Sequence, residues 1–287
     1  MSAGEPRPRL AVITFDFGNT LVPVDRSALE AVVGALADAA AARFGVDLSA
    51  FLAAWGEERA RQFREEVPRF RETDLAVRLR RVLARLRGMA APAAEETWDD
   101  AAAAGWSTTA EIDLGIDIYS RAFVAGLPPD PAVGAMLARL APRYRLGILS
   151  NWPLAATIDR YAQAAGWTPH LAAIVVSERV GAIKPHPAIF RAAEAALAAA
   201  GEPPLDPASI LHVGDDWAAD VVGGARAGWR VAYLRVRPPD SPLPGSEPDD
   251  GAEPDLVLDR LADLEAALGA LAREAMPVRQ PAGPPRG

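Results

Sequence analysis

Between residues 145 and 236 the chain alternates short apolar runs with helix-length segments, and this rhythm constrains its fold more than any other feature. RLGILS (145–150), LAAIVVS (171–177), SILHVGD (209–215) and WRVAYLRV (229–236) are strand-length and apolar almost throughout. Between them lie PLAATIDRYAQAAG, HPAIFRAAEAALAAAG and AADVVGGARAG, with apolar residues at helical intervals and a glycine at each end. Strands that are apolar on both faces and joined by helices form parallel sheets with helices on each side. The expected fold class is therefore α/β, a doubly wound parallel sheet. LAVITF (10–15) is one more such run and belongs to the same sheet, and DLVLDRLADLEAALGAL adds a last short strand and helix.

The stretch between the first strand and the rest of the sheet has a different character. SALEAVVGALADAAAARFG, LSAFLAAWGEERARQFREEV and DLAVRLRRVLARLRG carry helix-like apolar spacing, and APAAEETWDDAAAAGW adds one helix or two. Residues 23–127 thus read as an all-helical insertion into a sheet domain made of 1–22 and 128–270. The segment PPDSPLPGSEPDDGAEP reads as a long Pro/Gly/acidic loop. Residues 1–8 are expected to be loose, and 271–287 to form a disordered tail.

In sheets of this kind ligands sit outside the carboxyl ends of the strands, so the residues that follow each run matter most. LAVITF leads into Asp16, Phe17, Gly18, Asn19 and Thr20. RLGIL leads into Ser150 and Asn151. LAAIVV leads to Ser177 and, further on, Lys184-Pro185. ILHVG leads into Asp215, Asp216 and then Asp220. Carboxylates, hydroxyls and a lysine on one edge fit a magnesium and phosphate site, because Mg²⁺ takes oxygen ligands. An aspartate kept ionised beside a cation can attack phosphorus and form an aspartyl phosphate that water later splits. Ser150 and Thr20 can donate to phosphoryl oxygens, and Lys184 can neutralise their charge. Lys184 is the sole lysine; the 29 other basic residues are arginines.

Asp-Phe-Gly-Asn-Thr, Leu-Ser-Asn, Ile-Lys-Pro and Gly-Asp-Asp-Trp-Ala-Ala-Asp, in this order and each at a strand end, resemble the four motifs of the haloacid dehalogenase-like (HAD) hydrolase superfamily. The resemblance covers the whole Rossmann-like core, and the helical insertion matches that family's helical cap. It implies that Asp16 is nucleophile and metal ligand, that Thr20 and Ser150 bind phosphate, and that Lys184 steadies nucleophile and phosphate. Asn19 and Asn151 fall in the same motifs as substrate-binding candidates. Asp215 would be the metal ligand of the fourth motif, with Asp216 and Asp220 as outer or alternative ligands.

One position departs from the pattern. The family's phosphatases usually carry a second aspartate two residues after the nucleophile, and here that residue is Gly18. The family uses this residue's backbone carbonyl as a metal ligand, which glycine retains. What is lost is the carboxyl that protonates the leaving group, typically worth about 10²–10⁴-fold. Water, His186, a cap residue or the substrate itself is left to supply that proton.

The expected activity is a Mg²⁺-dependent phosphatase acting on a small phosphorylated metabolite. One rival is a 2-haloacid dehalogenase, a branch that needs no metal; its members typically have an aromatic residue at the Gly18 position and lack the paired acids of the fourth motif. The other is a non-catalytic binding protein of the same fold, against which the retention of Asp16, Lys184 and Asp215 argues. A phosphonate-cleaving branch would need a second lysine for a Schiff base and is excluded, and a phosphomutase leans on the missing acid. Arg64, Arg69 and Arg71 are the candidate anion contacts in the insertion, and Trp55, Trp98 and Trp106 are expected in its core. Composition sets further bounds. A net charge of −8 argues against nucleic acid or an anionic membrane as partner, and the absence of cysteine removes disulfides and thiolate chemistry. No apolar stretch reaches the roughly 18 residues that span a bilayer, and the N-terminus has no secretory pattern, so a cytoplasmic protein is expected. The sequence carries no sign of oligomeric state.

Overall fold

A computed structural model describes residues 8–93, 96–198, 201, 203–249 and 251–274. The loose residues expected at the N-terminus and the tail expected from 271 fall largely outside this range. Six strands form one parallel sheet: β1 (Val12–Phe15), β2 (Arg145–Ser150), β3 (Ala173–Val176), β4 (Ile210–Gly214), β5 (Arg230–Leu234) and β6 (Leu256–Leu258). Their order across the sheet is β3-β2-β1-β4-β5-β6. The strands match those expected, trimmed at some ends. β1 lies in the middle, with Phe15 beside Ile148 of β2 and Val213 of β4. All four of its residues are buried, which explains why LAVITF shows no polar alternation. Because every pairing is parallel, the ends of β1, β2 and β4 share one edge, and Asp16, Ser150 and Asp215 meet there.

The 23–127 segment is helical as expected: α1 (Arg26–Phe44), α2 (Leu48–Glu66), α3 (Leu75–Leu86), α4 (Asp100–Ala104) and α5 (Thr109–Gly126). Aspartates at 25, 47, 74 and 99 cap the first four, each accepting from a backbone N–H in the first turn. Thr108 and Glu111 form a reciprocal capping box at the start of α5. α6 (Pro131–Leu140) then leads to β2, α7 (Ala155–Ala164) follows it, α8 (Ser177–Val180) follows β3, and α9 (Pro187–Leu197) precedes β4. The helix expected after β4 begins as π-helical turns over Trp217–Val222 and becomes α-helical at Gly223–Arg226. One apolar cluster runs from Ile13 and Phe15 of the sheet to Leu36, Phe51 and Leu79 of the helical segment. No described helix is long and apolar enough to cross a membrane.

Three arginines of the insertion are not solvated. Arg61, Arg78 and Arg81 are buried. Arg61 donates to the carbonyls of Pro92, Ala93 and Glu96 at 2.7–3.2 Å and so pins the α3–α4 connection. Arg81 forks onto Asp100 at 2.7 and 2.9 Å.

Candidate active site

The turn after β1 is built by its own backbone. Asn19 is left-handed at φ 61°, a conformation that asparagine tolerates better than most side chains. Its N–H donates to Val22 O at 2.7 Å, while the N–H groups of Leu21 and Val22 donate to Phe17 O. Phe17 drives into an aromatic cluster with Trp152, Tyr161 and Phe123, at ring separations of 5.5, 5.2 and 6.1 Å. With Phe17 anchored there and β1 fixed behind, Asp16 stands at the sheet edge with its side chain 14% exposed.

Lys184 reaches Asp16 from the segment between α8 and α9. Its Nζ donates to Asp16 Oδ1 at 2.8 Å, to Leu149 O at 2.9 Å and to Asp220 Oδ1 at 2.6 Å, which uses all three ammonium hydrogens. The Asn151 side chain clamps the lysine's backbone, accepting from Lys184 N at 2.7 Å and donating to Lys184 O at 3.1 Å. Asp220 is itself held on both oxygens. His212 Nε2 lies 2.9 Å from Oδ1, and Asp216 N donates to Oδ2 at 2.9 Å. Since an ionised carboxylate only accepts, Nε2 carries a proton, while Nδ1 lies 2.9 Å from Thr14 Oγ1. Gly214 makes this possible: a Cβ there would lie 2.2 Å from Asp220 Oδ2.

Oxygens of Asp16, Asp215 and Asp220 come within 4.8 Å of one another. Burial raises the Asp16 carboxyl pKa above its ordinary value, and Lys184 offsets only part of that. Burial, with Asp16 and Asp220 adding to it, pushes Asp215 up to about 8. Burial would push Asp220 up too, but Lys184 and His212 outweigh it and hold this group well below the usual carboxylate range. Burial works against the Lys184 ammonium, yet Asp16 and Asp220 keep it protonated above the usual lysine value. Asp16 and Asp215 are thus two crowded acids short of positive charge, an oxygen-donor set suited to a hard divalent cation. Arg237 Nη1, 3.7 Å from Asp215 Oδ2, is the one other cation beside them among the described residues.

The remaining expected residues lie around this centre. Ser150 Oγ is buried and, among the described residues, has no hydrogen-bond partner. Thr20 Oγ1 donates to Asp215 Oδ1 at 3.3 Å. Asp216 Oδ1 caps the helix after β4 through Ala219 N at 2.8 Å and accepts from Ser246 Oγ at 2.8 Å. The Asn19 amide is engaged with Ser241 Oγ and Val24 N. Gly18 faces Leu243, whose Cδ1 would stand 2.6 Å from a Cβ at position 18. His186 caps α9 by accepting from Ala188 N at 3.2 Å.

A cavity of about 560 Å³ opens over Asp16, Lys184 and Asp215 and extends to Trp55, Arg59, Arg78 and Tyr119 of the helical segment. Its cationic groups from that segment differ from those expected: Arg64, Arg69 and Arg71 are exposed, and Arg71 pairs with Glu66 at 2.6 Å. Arg78 was legible from spacing, because it falls on the buried stripe of α3 with Leu75, Leu79 and Val82. The part of the β5–β6 loop at 241–246 had no such signal. Leu243, Pro244, Gly245 and Ser246 line the cavity, and Arg59 donates to Pro242 O at 2.9 Å. Trp55 is buried and lines the cavity, Trp98 is buried on Glu58, and Trp106 is 40% exposed.

Comparison with known proteins shows the family and the fold. Residues 10–228 match the model of the haloacid dehalogenase-like hydrolases. Pyrimidine 5'-nucleotidase YjjG of Escherichia coli (strain K12) is 29% identical over 140 residues, which is 49% of this chain and 56% of that protein, little more than half its length. Among solved structures, a 2-haloacid dehalogenase from Pseudomonas syringae pv. Tomato DC3000 superposes with a TM-score of 0.65 at 22% identity, over 91% of this chain and 99% of that one. A HAD phosphatase from Thermococcus onnurineus does so with a TM-score of 0.57 at 16% identity, over 91% and 98%. At these identities the likeness is one of fold.

Proposed function

The chain belongs to the haloacid dehalogenase-like hydrolases, and from that premise we propose that it is a Mg²⁺-dependent phosphatase of a small phosphorylated metabolite. The observation that carries this reading is the gathering of Asp16, Asp215 and Asp220 oxygens within 4.8 Å of one another, with the Lys184 ammonium bonded to two of the three. Asp16 attacks phosphorus, the bond to the leaving oxygen breaks and that oxygen takes a proton from water, and a second water then attacks the aspartyl phosphate, regenerating the Asp16 carboxylate and releasing inorganic phosphate and a proton. Lys184 fixes the plane of the Asp16 carboxylate and neutralises charge on the phosphoryl group. The unpartnered Ser150 Oγ donates to a phosphoryl oxygen, with Thr20 beside it.

Asp16, Asp215 and the Gly18 carbonyl would hold the ion, with Asp216 adjacent. Mg²⁺ supplies positive charge against the phosphoryl oxygens and relieves the crowding of the two acids. Asp220 is committed to Lys184 and His212, so it acts as a positioning residue. Asn151 positions Lys184, and Asn19 ties the first turn to the β5–β6 loop at the edge of the substrate space. Residues 23–127 serve as the cap, since Trp55, Arg59, Arg78 and Tyr119 line the cavity that contains Asp16. We place the activity in the cytoplasm.

Phosphate release from p-nitrophenyl phosphate, nucleoside monophosphates, sugar phosphates and short acid phosphates tests the reading. Release with Mg²⁺ that EDTA stops and Asp16→Asn abolishes supports it. Halide release from 2-chloropropionate in EDTA, without phosphate release, would give the site to attack on carbon. Inactivity in both assays would leave a binding protein.

A further inference from the structure

Among the described residues, two arginines of the helical segment that line the cavity, Arg78 and Arg59, have no acidic partner. Arg78 is only 4% exposed. Its Nε donates to Gln62 Oε1 at 2.8 Å and its Nη2 to Thr73 Oγ1 at 3.3 Å, both neutral acceptors. Among the described residues no carboxylate comes within ion-pair distance of it, and Nη1 has no hydrogen-bond partner. The acids that act on it through space are committed elsewhere. Glu72 accepts from Thr73 and Ser177, and Asp74 caps α3. Burial lowers the Arg78 pKa to about 10, a mark of how poorly its charge is compensated. Arg59 lines the same cavity, bonded to Pro242 O and lying over Phe63, 4.8 Å from the ring centroid.

A guanidinium taken out of water without a counter-ion is costly, and its planar fork matches a carboxylate or phosphate. Trp55, with Arg78 5.2 Å over its ring, and Tyr119 supply broad flat walls to the same space. We propose that the substrate carries a second anionic group, a carboxylate or a second phosphate, at the end remote from the scissile phosphate, and that Arg78 with Arg59 binds it while the aromatic walls hold the body between. This inference rests on the phosphatase reading and narrows it to organic phosphates with two anionic ends. Arg78 and Arg59 are specificity residues and take no part in the transfer of the phosphoryl group.

The test compares 4-carboxyphenyl phosphate with 4-carbamoylphenyl phosphate, which differ little in shape and carry different charge at the far end. 1,4-Phenylene bisphosphate is the second-phosphate arm. For the wild type with Mg²⁺, one of the two probes with a second anionic end is expected to exceed the carbamoyl probe by about 30-fold in kcat/KM, mostly through KM. In Arg78→Gln that ratio should fall toward one, and Arg78→Lys should restore part of it. The same probes titrated calorimetrically into Asp16→Asn measure binding without turnover, so a failed phosphatase reading and a failed anion site are told apart. Arg59→Gln is the second variant should Arg78→Gln not fold, and it should lower the ratio in the same sense. Equal binding of charged and neutral probes by Asp16→Asn overturns the proposal. So does uridine 5'-monophosphate turning over as well as the best charged probe in both wild type and Arg78→Gln.

Discussion

Replacing Gly18 with aspartate tests the catalytic reading at its weakest point. Among the family's phosphatases an acid at this position protonates the leaving group, and restoring it should speed alkyl phosphates by about 10²–10⁴-fold. The structure shows why the single substitution cannot deliver that. A Cβ at position 18 would stand 2.6 Å from Leu243 Cδ1 and 3.2 Å from Trp152 Cζ3. Trp152 is packed against Phe17 and Phe123 at 5.5 and 5.2 Å. Leu243 must therefore move, and because its Cδ1 is the far end of a flexible, half-buried side chain, overpacking here costs the low end of about 1–3 kcal/mol of stability. It also displaces the new carboxyl, and a misplacement near 1 Å forfeits about 10²-fold in rate. Gly18→Asp alone should lower Tm and raise alkyl turnover by less than about tenfold. Gly18→Asp with Leu243→Ala should show the whole gain relative to Leu243→Ala, read as kcat on glycerol 3-phosphate. Turnover of p-nitrophenyl phosphate, whose leaving group is already acidic, should change far less. A double variant with an unaltered alkyl-to-aryl ratio would refute the argument. So would a single variant that reaches the full gain at unchanged Tm.

Other perturbations probe separate parts of the molecule. Mg²⁺ should raise the Tm of the wild type, by the equivalent of about 2.7 kcal/mol at a hundredfold excess over Kd, and Asp215→Asn should abolish that shift. Asp220→Asn removes the carboxylate charge 2.6 Å from Lys184 Nζ; it should lower stability by about 3 kcal/mol in denaturant unfolding and phosphate release with it. Phe123→Ala should cost about 3–5 kcal/mol, because its ring is fully buried between Phe17, Trp152 and Tyr161. Hydrogen bonds from Arg87 and from the Thr108 cap hold Glu111 down to about 2 against an ordinary 4.5. Its folded pKa lies below its unfolded one, so its contribution is complete above about pH 5 and is lost as the pH falls toward 2. Glu111→Gln should therefore cost about 1 kcal/mol at pH 7 and nothing near pH 2, as followed by unfolding at each pH.

The parts of the molecule that could be read from the sequence are those set by local periodicity. β1, β2 and β4 are buried on both faces, so their apolar runs end where the sheet ends, and Asp16, Ser150 and Asp215 stood out as the polar residues that follow. The loop between β5 and β6 could not be read this way. Its Pro/Gly composition describes a backbone without regular structure and says nothing of where that backbone lies. Ser241 reaches Asn19 across 222 positions in the chain, and Leu243 fills the space beside Gly18. The absence of an acid at 18 and the presence of that leucine are one feature of the fold, visible only when distant segments meet. The helical insertion was harder to read: spacing puts Arg78 on the buried stripe of α3 with Leu75 and Leu79, but only contact with Gln62, Thr73 and Trp55 gives it a place that the exposed Arg64 and Arg69 lack.

The lone lysine among 29 arginines follows from geometry. At position 184 three acceptors surround a single nitrogen, Asp16 Oδ1, Leu149 O and Asp220 Oδ1, each within 2.9 Å. A tetrahedral ammonium points one hydrogen at each. A guanidinium spreads its donors over three nitrogens in a plane, so it would need a wider gap between the ends of β1 and β2 than their direct pairing allows. At position 78 the demand is reversed. Gln62 and Thr73 are served by Nε and Nη2 of one planar group that lines the cavity. A chain whose composition favours arginine everywhere else has kept lysine at the position where a planar fork cannot meet its acceptors.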